Sequence, residues 1–148
     1  MNPEFFRIAA TKTTDPVALA MLAQLQRAAL ELADAEASFP ERINANKAKR
    51  GESPTKMPKA KREQLSELAQ DQIGLDVKLC DDFRKMTEPS QIVWSVQYAL
   101  TQDLPNARMF LKYYHPEDLF FGEEIVRLKS QLLDAATSFL EAYPNAEV

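Results

Sequence analysis

Only three glycines occur in 148 residues. Many-stranded folds with tight hairpins draw on glycine for turn positions, so its scarcity argues against one. Cys80 is the sole cysteine. That excludes an intramolecular disulfide and a zinc site built on several thiolates. His115 is the sole histidine, so the paired Glu-x-x-His motifs of di-iron bundles are out of reach. No run approaches the roughly 18 apolar residues that a membrane span requires. Residues 1–15, MNPEFFRIAATKTTD, lack the basic-then-apolar order of a signal peptide, and no Asn-x-Ser/Thr acceptor is present. The expectation is a reducing, cytoplasmic setting with no membrane contact. Gly-rich phosphate loops, serine elbows, zinc-protease helices and calcium loops are also missing. Without a reactive constellation the chain is expected to be non-enzymatic, with no cofactor and no metal.

What is present is ordinary for a globular protein: 45% hydrophobic and 27% charged residues. The length fits one domain, and such a chain buries roughly 70% of its extended surface.

Charge is spread unevenly over a chain of net charge −4. Residues 42–62 hold eight basic groups (Arg42, Lys47, Lys49, Arg50, Lys56, Lys59, Lys61, Arg62) against Glu52 alone, a net +7. Residues 1–41 carry −3 and residues 63–148 carry −8.

Helical periodicity dominates. Asp15-Pro16 reads as a helix start, and Leu22, Leu25, Ala29, Leu32 and Phe39 follow on 3–4 spacing. This predicts a helix from 16 to 38, ended or kinked by Pro40. ERINANKAKR, residues 41–50, can extend it but has no apolar face. GESPTKMP reads as a turn, so 41–58 is expected to be a basic, flexible connection. A second long helix is predicted from Pro58, with Leu65, Leu68, Leu75, Leu79 and Met86 on its stripe, ending before TEPS. Thr87, Glu88 and Pro89 read as a fresh cap. Residues 90–102 suit a strand or a helix; Val93, Val96 and Leu100 share a helical face, which favours helix. A shorter helix is expected to begin at Pro105 and end at Pro116. The last helix, 122–144, carries Ile125, Leu128, Leu132, Ala135 and Phe139, with Glu123 and Glu124 at its positive end. Together these predict an all-α, antiparallel bundle of five helices with a long N-terminal helical hairpin.

Few residues offer chemistry. His115 could act as a base or metal ligand with Glu117, Asp118, Glu123 and Glu124, but before Pro116 it reads as a turn residue. Cys80 stands beside Asp81 and Asp82, which would raise its pKa, and reads as core filler. Glu63, Glu67 and Asp71 are spaced as a solvated face. Residues 110–121 hold five of the thirteen aromatics. Core packing is the leading expectation for them. Tyr113, Tyr114, Phe120 and Phe121 are the candidates for a protein interface, the tyrosines best suited to a half-wet site. Trp94 and Tyr98, four apart, are expected to stack within the core.

Three roles compete for the basic segment: a solvated loop, a nucleic-acid contact, or docking on an acidic protein surface, including the chain's own body. No aromatic lies between Arg42 and Arg62 to stack on bases. The favoured function is an interaction module with a protein partner, as adaptor, inhibitor or regulatory subunit. One alternative is a nucleic-acid-binding regulator using 42–62; another is an acidic inhibitor that mimics nucleic acid. The complementary +7 and −8 portions also suggest pairing of two copies into a homodimer.

Overall fold

The computed structural model describes residues 1–52, residue 67 and residues 74–145. Among them there is no strand, and the chain is an all-α bundle. Helix α1 spans Glu4–Ala10, α2 spans Pro16–Lys49, and residues 74–85 are helical and form α3. Helix α4 spans Pro89–Phe110, followed by a 3-10 turn at Leu111–Tyr113, and α5 spans Leu119–Ala142.

The polar contacts give the topology. Tyr143 donates to Asp15 at the start of α2, while Arg42 near the end of α2 meets Glu124 near the start of α5. Helices α2 and α5 are therefore antiparallel. Gln97 donates to Thr137 at 3.0 Å and Ser90 to the Tyr143 carbonyl at 2.6 Å, so α4 also runs against α5. Helix α5 thus packs on both α2 and α4, and α1 packs against the same two helices. The core lies between them. Leu22, Leu25, Leu32, Ile92, Val96, Leu132 and Phe139 are fully buried. Each such leucine, isoleucine, valine or phenylalanine contributes about 1.5–3 kcal/mol by leaving water.

The expected stripe of α2 is buried from Leu22 to Leu32, and Phe39 is half-buried. In α5, Leu128, Leu132 and Phe139 are buried, with Ile125 and Ala135 packed beside them. Residues 90–102 are helix, as the shared face of Val93, Val96 and Leu100 predicts. The Thr87–Glu88–Pro89 start is capped by Gln91, whose Oε1 accepts the Glu88 N–H at 3.1 Å and the Thr87 N–H at 3.0 Å.

Other expectations are corrected. Helix α1 has no counterpart in the sequence reading, although it buries Phe5, Phe6, Ile8 and Ala9. Pro40 does not end α2; the helix continues through it to Lys49. The stop is Gly51, at φ 76°, with its N–H on the Ala48 carbonyl at 3.1 Å and the Glu52 N–H on the Lys47 carbonyl at 2.8 Å. This is a Schellman cap, in which glycine takes a left-handed conformation that costs other residues energy. Residues 41–49, the first part of the expected flexible connection, are therefore helix. Residues 53–58 lie outside the described residues. Pro105 likewise does not begin a helix but sits inside α4. Both prolines are exposed, so water can reach the carbonyl that each leaves without a helical donor.

The predicted stripe of the second helix is also rotated. Leu65 and Leu68 lie outside the described residues. Leu75 and Leu79 are exposed, whereas Cys80 and Phe83 are buried. Phe83 meets Phe5 edge-on at 5.0 Å, so α1 selects the face that turns inward.

Candidate interaction surface

One end of the bundle gathers the last turns of α2, the α4–α5 connection and the first turns of α5. Arg42 Nη1 donates to Glu124 Oε2 at 2.7 Å, and its guanidinium lies 5.3 Å from the centre of the Phe121 ring. One helical turn on, Asn46 Nδ2 donates to Asp118 Oδ1 at 2.9 Å and to the Glu117 carbonyl at 3.2 Å. One turn further, Arg50 donates to Glu117 at 2.9 Å and Glu52 at 3.3 Å, with Asp118 at 3.6 Å. Spacing of four residues places all three side chains on one face of α2, which explains why the helix outlasts Pro40. Hydrogen bonds from Arg50 to Glu52 and Glu117 raise its pKa above the ordinary guanidinium value, and the Arg50 bond holds Glu52 below the usual carboxylate range.

Of the basic groups among the described residues, Arg42 and Arg50 thus dock on the chain's own acidic body. Lys49 is exposed and Lys47 half-buried. Lys56, Lys59, Lys61 and Arg62 lie outside the described residues.

The aromatic candidates divide. Tyr114 turns inward and meets Phe39 edge-on at 5.6 Å. It also lies over Gly122, where an added Cβ would come within 2.7 Å of Tyr114 Cε2. Glycine at this position allows the ring its close approach. Phe121 is half-buried beneath Arg42. Tyr113 and Phe120 instead face solvent, 70% and 68% exposed. Phe110 and Met109, which the sequence reading had not singled out as interface candidates, are 52% and 49% exposed. Phe110 lies 6.1 Å from Tyr113, and Lys112 Nζ sits 5.1 Å from the Tyr113 ring centre. Core packing, expected for this stretch as a whole, holds only for its inward half. The connection is too short to turn every ring inward.

His115 is exposed and serves its turn: Nδ1 accepts the Glu117 N–H at 3.3 Å, and its carbonyl accepts the Asp118 and Leu119 N–H groups. Burial pushes the Cys80 thiol up, away from thiolate reactivity. Among the described residues no three His, Cys, Asp or Glu side chains are grouped to hold a metal. Glu67 is exposed; Glu63 and Asp71 lie outside the described residues. Trp94 and Tyr98 do stack, at 5.5 Å and 19°, but Tyr98 is more than half exposed, so the pair lies on the outer face of α4 rather than in the core.

The fold and this surface define an all-α bundle with an aromatic end. Among the described residues no helix is long and apolar enough to cross a membrane. Comparison with protein-family models, with curated proteins and with solved structures finds no match to this chain.

Proposed function

We propose that the chain is a non-enzymatic interaction module that binds a partner protein through the aromatic end of the bundle. The observation that carries this reading is the exposure of Met109, Phe110, Tyr113 and Phe120 within twelve residues of chain. Isolated exposed apolar groups are ordinary, but Phe110 and Tyr113 lie with ring centres 6.1 Å apart, and neighbouring exposed rings suit an interaction site. Aromatic side chains suit such a site because they bury much area with few torsions to fix. Charges of both signs, Lys112 and Glu117, border the cluster as an interface rim would. Arg42 and Arg50 are engaged with carboxylates, which leaves the segment less charge to offer phosphates and favours protein over nucleic acid.

The test is affinity capture from the native host with and without nuclease, using the parent and a Tyr113→Ser/Phe120→Ser variant. A protein recovered in both conditions by the parent and lost by the variant supports the reading. Loss on nuclease treatment would transfer the role to nucleic acid. Equal capture by the variant would remove the aromatic end from the function.

A further inference from the structure

The buried stripe of α2 stops at Ala35, although the helix runs on to Lys49. From Glu36 to Arg50 no side chain is buried. The backbone ladder weakens at the same place. Pro40 has no N–H for the Glu36 carbonyl. Ser38 Oγ donates to the Ala35 carbonyl at 3.2 Å, where a hydroxyl competes with the backbone. Helices bend at prolines and at such side-chain insertions. Core packing and helical continuity therefore both fall away between Ala35 and Pro40.

Beyond Pro40, polar side chains hold the helix down. Arg42 meets Glu124 in the second turn of α5. Asn46 meets Asp118, and Arg50 meets Glu117 and Asp118, in the turn that opens α5. Tyr113 and Phe120 stand on either side of that turn. The Arg42 guanidinium also lies over Phe121, whose ring centre is 5.9 Å from that of Phe120. The last turns of α2 thus grip the segment from which the exposed rings project.

We propose that residues 41–50 form a strap, hinged at Pro40, that docks on the α4–α5 connection and holds the aromatic end in its binding form. When the strap lifts, the connection loosens and the surface loses affinity for its partner. The inference rests on the reading of the aromatic end as the interaction surface, and it adds a means of regulating that surface. A segment with no buried side chain opens without unfolding the body. Ion pairs at half-exposed sites suit a reversible clasp, because each is weak and screened by salt. Docking fixes the connection beforehand, which lowers the ordering cost of binding.

Hydrogen–deuterium exchange on the full chain tests the strap, comparing peptides over 41–50, 111–122 and 16–35. Between about 0.1 M and about 1 M NaCl the screening length falls from about 10 Å to about 3 Å. Exchange is expected to quicken over 41–50 and 111–122 together and to stay unchanged over 16–35. Arg42→Ala/Arg50→Ala should speed both segments by about two- to thirtyfold, the range for two exposed ion pairs, and remove the salt dependence. Alanine is the best helix former, so the faster exchange would not reflect lost helix propensity. Pro40→Ala stiffens the hinge and should slow 41–50. The salt series uses the parent alone and decides the matter where a variant fails to fold. Capture from the native host should fall with Arg42→Ala/Arg50→Ala and rise with Pro40→Ala. Exchange over 41–50 that is as slow as over 16–35 and indifferent to salt overturns the strap. Faster exchange over 41–50 with no change over 111–122 overturns its hold on the aromatic end, as does undiminished capture by the arginine variant. Equal capture by Tyr113→Ser/Phe120→Ser overturns instead the reading beneath it, and the exchange results do not depend on that capture.

Discussion

Replacing Pro40 with alanine probes the least expected feature of the fold, the run of α2 through a proline. Pro40 has no N–H to donate to the Glu36 carbonyl, and its ring crowds the preceding turn. In a helix interior proline is about 3 kcal/mol less favourable than alanine. Two effects reduce that figure at this site. Pro40 and Glu36 are exposed, so water satisfies the free carbonyl. Proline also stiffens the unfolded chain, an advantage of about 0.4–1 kcal/mol that alanine gives up. The net gain for Pro40→Ala is about 2 kcal/mol. For a chain of 148 residues each kcal/mol moves the melting temperature by about 2–4 °C, so a rise of about 4–8 °C is expected. Thermal melts followed by far-UV circular dichroism measure it, with urea titration to confirm that the slope is unchanged. A variant that melts at or below the parent's temperature would refute a continuous α2 and restore a helix end at residue 39.

Three further outcomes are expected. Asp118→Ala removes a buried carboxylate that serves Asn46 and Arg50, and should cost about 1–3 kcal/mol in urea titration, because two half-buried donors lose an acceptor; Glu117→Ala, at an exposed pair, should cost under about 1 kcal/mol. Equal costs would show that Asp118 does not hold the end of α2. Leu132→Ala, fully buried on α5, should cost about 2–5 kcal/mol, and a loss under about 1 kcal/mol would contradict its place in the core. The Tyr143 phenol donates to Asp15, which raises its pKa from an ordinary 10.0. Stability from this contact is therefore complete below pH 10.0 and lost as pH rises through the raised folded value, and Tyr143→Phe should flatten that alkaline decline. An identical decline in both proteins would remove the contact from the pH response.

Where the sequence read well, a long apolar stripe did the work. Leu128, Leu132 and Phe139 recur at helical spacing through more than three turns, and the stripe from Leu22 to Leu32 is equally regular, so each specifies a helix and its buried face. Helix α1 is too short for such a signal: within seven residues, Phe5, Phe6, Ile8 and Ala9 show no period. Pro40 and Pro105 misled because the rule against proline in helices is local. The contacts that offset it at Pro40 come from Glu124, eighty-two residues from Arg42, Asp118, seventy-two from Asn46, and Glu117, sixty-seven from Arg50. Gly51 carried the true stop signal, legible as a glycine after a helix with Lys47 and Lys49 in its last turn. The rotation that buries Cys80 and Phe83 in place of Leu79 is set by Phe5, a partner distant in sequence. For the aromatic stretch 110–121, composition reveals rings but not direction. Which of Tyr113 and Tyr114 faces water depends on the space above Gly122 and on Phe39, and neither can be inferred from spacing.

Hydrogen–deuterium exchange on the chain alone and with the captured partner, read at peptides covering 105–122, tests the central claim most directly. Binding through the aromatic end predicts slowed exchange confined to the stretch from Met109 to Phe121 and the neighbouring last turns of α2. Protection elsewhere with no change in that stretch would contradict it.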